Sequence, residues 1–332
     1  MSCEPHTLAA GAGTRRLFVR VARKVVEAED ICSFELVSMG GGTLPAFSAG
    51  SHIDVHISPS LTRQYSLCND AAESHRYLIG VLKEQHSRGG SHSMHEALSE
   101  GDILEISAPK NHFELARGAK RSKLFAGGIG ITPILCMAER LCVTGADFQL
   151  HYATRSAERA AFRERIQKGP LASRASFHFD GDPERPRLDI AAAVGAPEEG
   201  LHLYVCGPKG FMDAVLGAAR EQGWLETNLH YEFFAAEISK SEDDHAFQIK
   251  LASSGRMVTV PKEESVCEAL RKFGVEIPTS CEQGICGTCV TRVLEGEPDH
   301  KDMYFTSEEH RANDQFTPCC SRSKSPLLIL DL

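Results

Sequence analysis

Hydrophobic and polar positions divide the chain into three patterns. Residues 17–26, 31–37, 52–57, 64–68 and 77–83 are short apolar or alternating runs separated by Gly, Pro and Asn. Runs of this kind read as strands, and the turn residues between them predict an antiparallel barrel. From residue 122 the pattern changes. Apolar runs at 122–127, 148–153, 175–179, 201–205 and 229–234 alternate with helix-like stretches ending near 143 and covering 157–166 and 209–221. Strands that alternate with helices predict a parallel α/β sheet. A third pattern follows. Residues 247–260 read as a hairpin around Ser253-Ser254-Gly255, 265–273 as a helix, and 327–330 as a closing strand. Ser265 and Glu268 have capping-box spacing, and Gly274 stands where a helix stops. The expected domains are 15–118, 119–234 and 246–332. The polar stretch 235–245, with Glu237, Glu242, Asp243 and Asp244, is read as a linker.

A chain of 332 residues has room for two or three domains. With 42% hydrophobic and 24% charged residues it is an ordinary globular composition rather than a disordered one. The net charge of −9 argues against nucleic acid as a partner, since phosphate binding wants clustered Lys and Arg. The longest apolar stretch, 124–138, contains four Gly or Pro residues. It is shorter than the roughly 18 residues a membrane span needs. The first 16 residues hold no apolar signal core, so the expected compartment is the cytoplasm. There the twelve cysteines are expected to stay reduced, most of the scattered ones as small core residues.

The exception is the crowd near the C-terminus. Cys281, Cys286 and Cys289 are spaced C-x4-C-x2-C, and Cys319 follows after 29 residues. This is the plant-type spacing of a [2Fe–2S] cluster, which needs four thiolates and a loop that wraps closely. Gly284 and Gly287 permit the left-handed turns of such a loop. A structural zinc site would show two C-x2-C pairs, and only one is present. Unliganded buried thiols are the other alternative. Cys319 and Cys320 are adjacent, so the residues alone leave the fourth ligand open between them.

Two further motifs suit nucleotides. Gly127-Gly128-Ile129-Gly130-Ile131-Thr132-Pro133 joins an apolar run to a helix, and Cys206-Gly207-Pro208 ends another run. Glycines let a backbone approach phosphate, and a helix N-terminus favours an anion. In parallel α/β sheets, ligands sit at the carboxyl ends of the strands, where both turns fall. Cys206 is either a nicotinamide contact or a small core thiol. In the barrel, Arg63-Gln64-Tyr65-Ser66 offers a phosphate partner, a stacking ring and a hydroxyl on one short strand. Arg88-Gly89-Gly90-Ser91 precedes a short helix near residues 93–98 and reads as a phosphate turn. His92 and His95 nearby have no evident carboxylate or cysteine partner, so they read as surface or hydrogen-bonding residues rather than metal ligands.

The order of these signals, R-x-Y-S barrel, GGxGxTP half-sheet and C-terminal C-x4-C-x2-C…C, resembles the phthalate dioxygenase reductase family over about residues 15–332. The resemblance implies an antiparallel β-barrel flavin domain, an α/β parallel-sheet nucleotide domain and a β-grasp, plant-type ferredoxin domain. It implies FMN held by Arg63, Gln64, Tyr65 and Ser66, with Ser66 near the flavin N5. Lys83 and Arg88-Gly89-Gly90-Ser91 would hold the flavin edge and phosphate. Gly127, Gly128, Gly130 and Thr132 would face the NADH pyrophosphate, and Arg155 the adenosine ribose. Cys206, Gly207 and Pro208 would lie by the nicotinamide. His230-Tyr231-Glu232-Phe233-Phe234 matches an H-x-E-x-F ending, which would set Phe234 at the flavin. The family's Cys-x-Ser-Arg pattern fits Cys319-Cys320-Ser321-Arg322, with Cys319 as ligand beside Cys281, Cys286 and Cys289.

These parts imply one electron path. NADH gives up two electrons together and a [2Fe–2S] cluster carries one, so a flavin belongs between them. By resemblance the acceptor is the Rieske centre of a partner oxygenase acting on an aromatic or related compound. Residues 295–314 hold seven acidic and two basic residues and are expected either to steer that partner or to form a solvated loop. Arg155 is also suited to a ribose phosphate, whereas the resemblance implies NADH. An FAD reductase of another monooxygenase system and a redox-sensing binding module are the competing functions.

Overall fold

A computed structural model describes residues 16–58, 61–85, 89–181, 187–234 and 244–332. Arg88 and most of the expected linker, 235–243, lie outside the described residues. The first unit comprises β1 (Arg16–Ala28), β2 (Ile31–Ser38), β3 (Ser51–Ser58), β4 (Leu61–Ser66), β5 (Arg76–Leu82), the short helix α1 (Gly90–Glu96), β6 (Ile103–Ser107) and β7 (Lys110–Asn111). The strands are antiparallel in the order β4-β3-β6-β1-β2-β5, with β7 pairing β3. A bridge between Leu67 and Ile79 links the two ends of that path and closes the barrel. Val19, Val21, Phe34, Leu36, Ile53, Val55 and Ile79 alternate inward to form its core.

The second unit is β8 (Arg121–Gly127), α2 (Ile131–Val143), β9 (Asp147–Thr154), α3 (Arg163–Lys168), β10 (Ala175–Phe179), α4 (Ile190–Val194), β11 (Leu201–Cys206), α5 (Lys209–Glu221) and β12 (Leu229–Glu232). Its sheet is parallel in the order β10-β9-β8-β11-β12. Leu124, Leu150 and Tyr152 pack with α2 on one face, and Phe125, Leu203 and Val205 pack with α5 on the other. The helix expected over 157–166 is broken. A 3₁₀ turn at Ala157–Arg159 is separated from α3 by Phe162, which adopts φ 57°. The Phe162 ring is buried and lies against Gly80 of β5, where a Cβ would stand 3.3 Å from it. Packing against the barrel therefore outweighs helix propensity at this residue.

The third unit begins with β13 (Phe247–Leu251), β14 (Met257–Val260) and α6 (Val266–Lys272). The capping box at Ser265 and Glu268 is present, and Gly274 takes φ 81° after the helix. β15 (Thr291–Glu295), β16 (Pro298–Asp299), α7 (Ser307–Ala312), β17 (Gln315–Phe316), β18 (Arg322–Ser323) and β19 (Leu327–Leu330) complete it. The mixed sheet runs β14-β13-β19-β15-β17, with β13 and β19 parallel. Val266, Ala269 and Leu270 of α6 share its core with Ile249, Leu328 and Leu330, the arrangement of a β-grasp ferredoxin. The acidic segment is not a plain loop: Thr306 and Glu309 form a second capping box that starts α7.

Candidate functional site

The cysteine loop is wound by three left-handed residues, Glu282 at φ 54°, Gly284 at φ 72° and Gly287 at φ 68°. Both glycines are also obliged by close approach. A Cβ on Gly284 would lie 2.9 Å from Asp302 Cα, and one on Gly287 would press into the Tyr304 ring. The Gln283 N–H donates to Cys281 Sγ at 3.3 Å. The Cys281 thiol lies within hydrogen-bonding reach of Cys286 and Cys319, and Cys319 within reach of Cys281 and Cys289. Cys320 also lies within reach of Cys319 and faces Gly284 of the loop, but it alone of the two adjacent cysteines meets Thr317, its sulfur 3.2 Å from Oγ1. Four soft sulfur donors around one loop, with an amide aimed at sulfur, fit a [2Fe–2S] cluster. Cys267 on α6 also lies against Cys289, a neighbour that spacing did not suggest. In Cys-x-Ser-Arg the last two residues are structural. Ser321 is fully buried and bonded to Thr317, and the Arg322 guanidinium donates to the carbonyls of Glu264, His245 and Pro261.

The loop is seated on the barrel. Ser280 Oγ, one residue before Cys281, donates to Asp54 Oδ1 at 2.8 Å. Asp54 on β3 also accepts from Lys110 Nζ at 2.7 Å and Gln64 Nε2 at 3.0 Å. Burial alone would raise the Asp54 carboxyl, but the bonds from Lys110, Ser280 and Gln64 outweigh it and hold it ionised below its ordinary value. Arg63 Nη1 stands 3.4 Å from Glu282 Oε2, in the middle of the cysteine loop. Thus Arg63, expected to serve a flavin, also meets the cluster loop, and Gln64 is linked to it through Asp54. Arg63 lies beside the start of α1 as well, for a Cβ on Gly90 would come 2.7 Å from its Cγ. Tyr65 follows on the same strand and is half-buried.

At the other end of β4, Ser66 Oγ donates to Glu232 Oε2 at 3.2 Å. Glu232 ends β12 and pairs in register with Cys206 at the end of β11. Burial raises the Glu232 carboxyl to about 8, opposed only in part by the Ser66 hydroxyl. Cys206 is wholly buried and its thiol is pushed up by the same cause, so it stays neutral. Phe234 packs against the core cluster to which Cys206 belongs. A hydroxyl, a neutral thiol and a carboxyl able to keep its proton therefore meet where three strands of two domains end. Sequence reasoning quoted Glu232 only as part of a motif. The register of β11 and β12 is the signal that singles it out.

The two glycine turns interlock. A Cβ on Gly207 would stand 2.9 Å from Gly127 Cα, and one on Gly130 would stand 2.7 Å from Gly207 N and closer still to Cys206 O. A Cβ on Gly127 would meet Pro208 Cδ at 3.0 Å. Gly128, at φ 53°, faces open space. Thr132 is buried, bonds the Ile129 carbonyl at 3.0 Å and turns its methyl toward Gly80 of the barrel. Arg155 is exposed just beyond β9. Lys83 pairs with Glu96 of α1 at 2.9 Å. Gly89 takes φ 90° before α1, and Ser91 Oγ accepts the Glu84 N–H at 3.1 Å. His92 and His95 bond the carbonyls of Glu84 and Val81, as their hydrogen-bonding reading expects.

A flavin-type barrel, a parallel nucleotide sheet and a four-cysteine loop joined in this way define a modular electron-transfer oxidoreductase. Residues 249–324 match the 2Fe-2S iron-sulfur cluster binding domain family. The chain is 57% identical over 307 residues to the vanillate O-demethylase oxidoreductase of Pseudomonas putida, covering 92% of this chain and 96% of that one. It is 39% identical over 318 residues to the phthalate dioxygenase reductase of Burkholderia cepacia, covering 95% and 97%. A solved structure of phthalate dioxygenase reductase, described as modular for electron transfer from pyridine nucleotides to [2Fe–2S], superposes with TM-score 0.79 at 39% identity, covering 96% of this chain and 98% of that one. The chain belongs to the phthalate dioxygenase reductase family. It is accordingly an oxygenase reductase component that uses FMN, NADH and a [2Fe–2S] cluster. Among the described residues no helix is long and apolar enough to cross a membrane.

Proposed function

We propose that this chain, working in the cytoplasm, reduces a Rieske-type oxygenase that acts on a methoxylated or related aromatic acid. The observation that carries the reading is the junction of Arg63 with Glu282, and of Gln64 through Asp54 with Ser280, which brings the flavin motif against the cysteine loop. The likeness to a vanillate O-demethylase oxidoreductase supports the substrate class of the partner. We assign residues 15–118 to FMN, 119–234 to NADH and 246–332 to the cluster, joined by 235–245.

Arg63 and the turn Arg88-Gly89-Gly90-Ser91 are assigned to the FMN phosphate, with Lys83 at the flavin edge. Gln64, Tyr65 and Ser66 are assigned to the flavin ring and Phe234 to its outer face. Gly127, Gly128, Gly130 and Thr132 are assigned to the pyrophosphate, Arg155 to the ribose, and Cys206, Gly207 and Pro208 to the nicotinamide. Cys281, Cys286, Cys289 and Cys319 are assigned to iron. Bound flavin supplies the exchange between a hydride pair and single electrons. The chain's own work is positioning. Its glycine turns clear a path for dinucleotide backbone, and its buried wall keeps water from the hydride. Glu232 can hold a proton at Oε2, beside the Ser66 hydroxyl.

The exposed acids Glu295, Glu297, Glu308, Glu309 and Asp314 are assigned to steering a basic patch on the oxygenase. The test is anaerobic addition of NADH to the purified holoprotein, followed by mixing with a Rieske oxygenase and, separately, with a cytochrome P450. Flavin and iron–sulfur absorbance should both bleach, and the Rieske centre alone should be reduced rapidly and with ionic-strength dependence. Preferred reduction of the haem would overturn the Rieske assignment.

A further inference from the structure

On the flank of the cysteine loop, His300, Asp302 and His310 bring one ligand atom each within 4.8 Å of one another. Asp302 is fixed first. Its Oδ2 accepts the N–H groups of Phe305 at 2.9 Å and Tyr304 at 3.2 Å, and lies 3.2 Å from His310 Nε2. The two imidazoles stack with centroids 4.4 Å apart. His300 is fixed by Asn313, whose Oδ1 stands 3.2 Å from His300 Nε2. An amide oxygen only accepts, so Nε2 carries the hydrogen, and in the neutral ring Nδ1 is a bare lone pair.

That lone pair has no hydrogen-bond partner and is buried. It points at Asp302 Oδ1 from 3.5 Å, with the His300 side chain 9% exposed and that of Asp302 fully buried. A lone pair facing a buried carboxylate calls for a cation between them. A proton on Nδ1 is one solution, but a charge-assisted N–H···O bond closes to about 2.7–2.9 Å. A metal ion is the other. Bonds of about 2.0–2.1 Å to nitrogen and oxygen give tetrahedral ligand-to-ligand edges of about 3.3 Å. His310 Nε2 lies 3.2 Å from Oδ2 and His300 Nδ1 3.5 Å from Oδ1, so each imidazole stands about one such edge from its own oxygen of the same carboxylate. The bond from Nε2 to Asn313 is the outer partner that a ligating histidine needs to fix its tautomer. Residues 295–314 carry a net charge of −5, and the His310 side chain is 30% exposed, which leaves an entry path and a fourth position for water.

We propose that His300, Asp302 and His310 bind a borderline divalent transition-metal ion, with Zn²⁺ as the type, separately from the iron–sulfur ligands. The site touches the cluster loop. Met303 N donates to Gly284 O at 3.0 Å, and Ser321 Oγ lies 3.4 Å from Asp302 Oδ1. A dication there adds positive charge beside the cluster and partly neutralises the acidic flank.

The experiment titrates Zn²⁺ into the holoprotein against a chromophoric chelator, while the visible spectrum verifies that the cluster is intact. One saturable site is expected. His300→Ala and His310→Gln should lose it, and Asn313→Ala should weaken it about 10–100-fold. Zn²⁺ should slow reduction of an external acceptor and leave flavin reduction by NADH unchanged in rate. If His300→Ala fails to retain the cluster, His310→Gln and Asn313→Ala decide the matter. Absence of saturable binding to the parent protein would overturn the proposal, as would equal binding by the parent and the surviving variants.

Discussion

Ser280 and Asp54, 226 residues apart in sequence, share a buried hydrogen bond of 2.8 Å that ties the cysteine loop to the barrel. The bond matters because Asp54 also orders Gln64 and Lys110, so one carboxylate holds groups from both domains. Ser280→Ala leaves Asp54 with one donor fewer in a buried place. The expected cost is about 1–3 kcal/mol. Stopped-flow absorbance should show normal flavin reduction by NADH and slower reduction of the cluster. An unchanged cluster rate would remove the bond from electron transfer.

Cys319 and Cys320 should behave oppositely. Cys319 lies within reach of both Cys281 and Cys289, whereas Cys320 reaches Cys319 but sets its sulfur against Thr317 and Ser321. Cys319→Ser is expected to lose the normal cluster, and Cys320→Ser to keep it. Iron content and the spectrum of the reduced cluster decide between them.

Glu232 predicts a pH dependence of stability. Its folded value of about 8 lies above the ordinary 4.5, so the folded state keeps a proton that the unfolded chain releases. The contribution is full below the ordinary value and is lost as pH rises through about 8. The slope between them is up to about 1.4 kcal/mol per pH unit. Glu232→Gln cannot titrate, so denaturant unfolding across that window should be flatter for the variant. Parallel curves for the two proteins would count against a raised Glu232.

The interlocked glycines predict a steric failure. A methyl group at Gly130 meets the Cys206 carbonyl and Gly207 N, and one at Gly207 meets Gly127. Backbone cannot swing aside as a side chain can. Gly130→Ala and Gly207→Ala are each expected to cost about 1–3 kcal/mol, the usual range for overpacking. They should also weaken NADH binding, read as a rise in KM. Gly128→Ala meets open space, and its cost should come only from its positive φ.

Much of this was legible from residue pattern. The hairpin, the α6 capping box and β19 read directly, because their signals are local in sequence. So did α5 at Lys209–Glu221. The break at Phe162 was not legible, since its cause is a contact with Gly80 on another domain. β6 went unread because Ile103–Ser107 is short and its burial comes from pairing with β1 and β3. For the site, cysteine spacing pointed to the loop where the thiols of Cys281, Cys286, Cys289 and Cys319 gather. The place of Glu232 beside Cys206 depended on strand register, and the contact of Arg63 with Glu282 on docking between domains. The His300 cluster was hidden for the same reason, as Asn313 meets His300 and His310 meets Asp302 only once α7 has folded back.

The bond from Asp54 to Ser280 also sets an order of assembly. Synthesis runs from the N-terminus, and domains fold largely as they emerge. Asp54 is therefore in place long before Ser280 leaves the ribosome, and the seat waits for the loop. The loop thus docks on a barrel that is already folded, and a chain cut short before residue 280 should still present Asp54 with Gln64 and Lys110 around it.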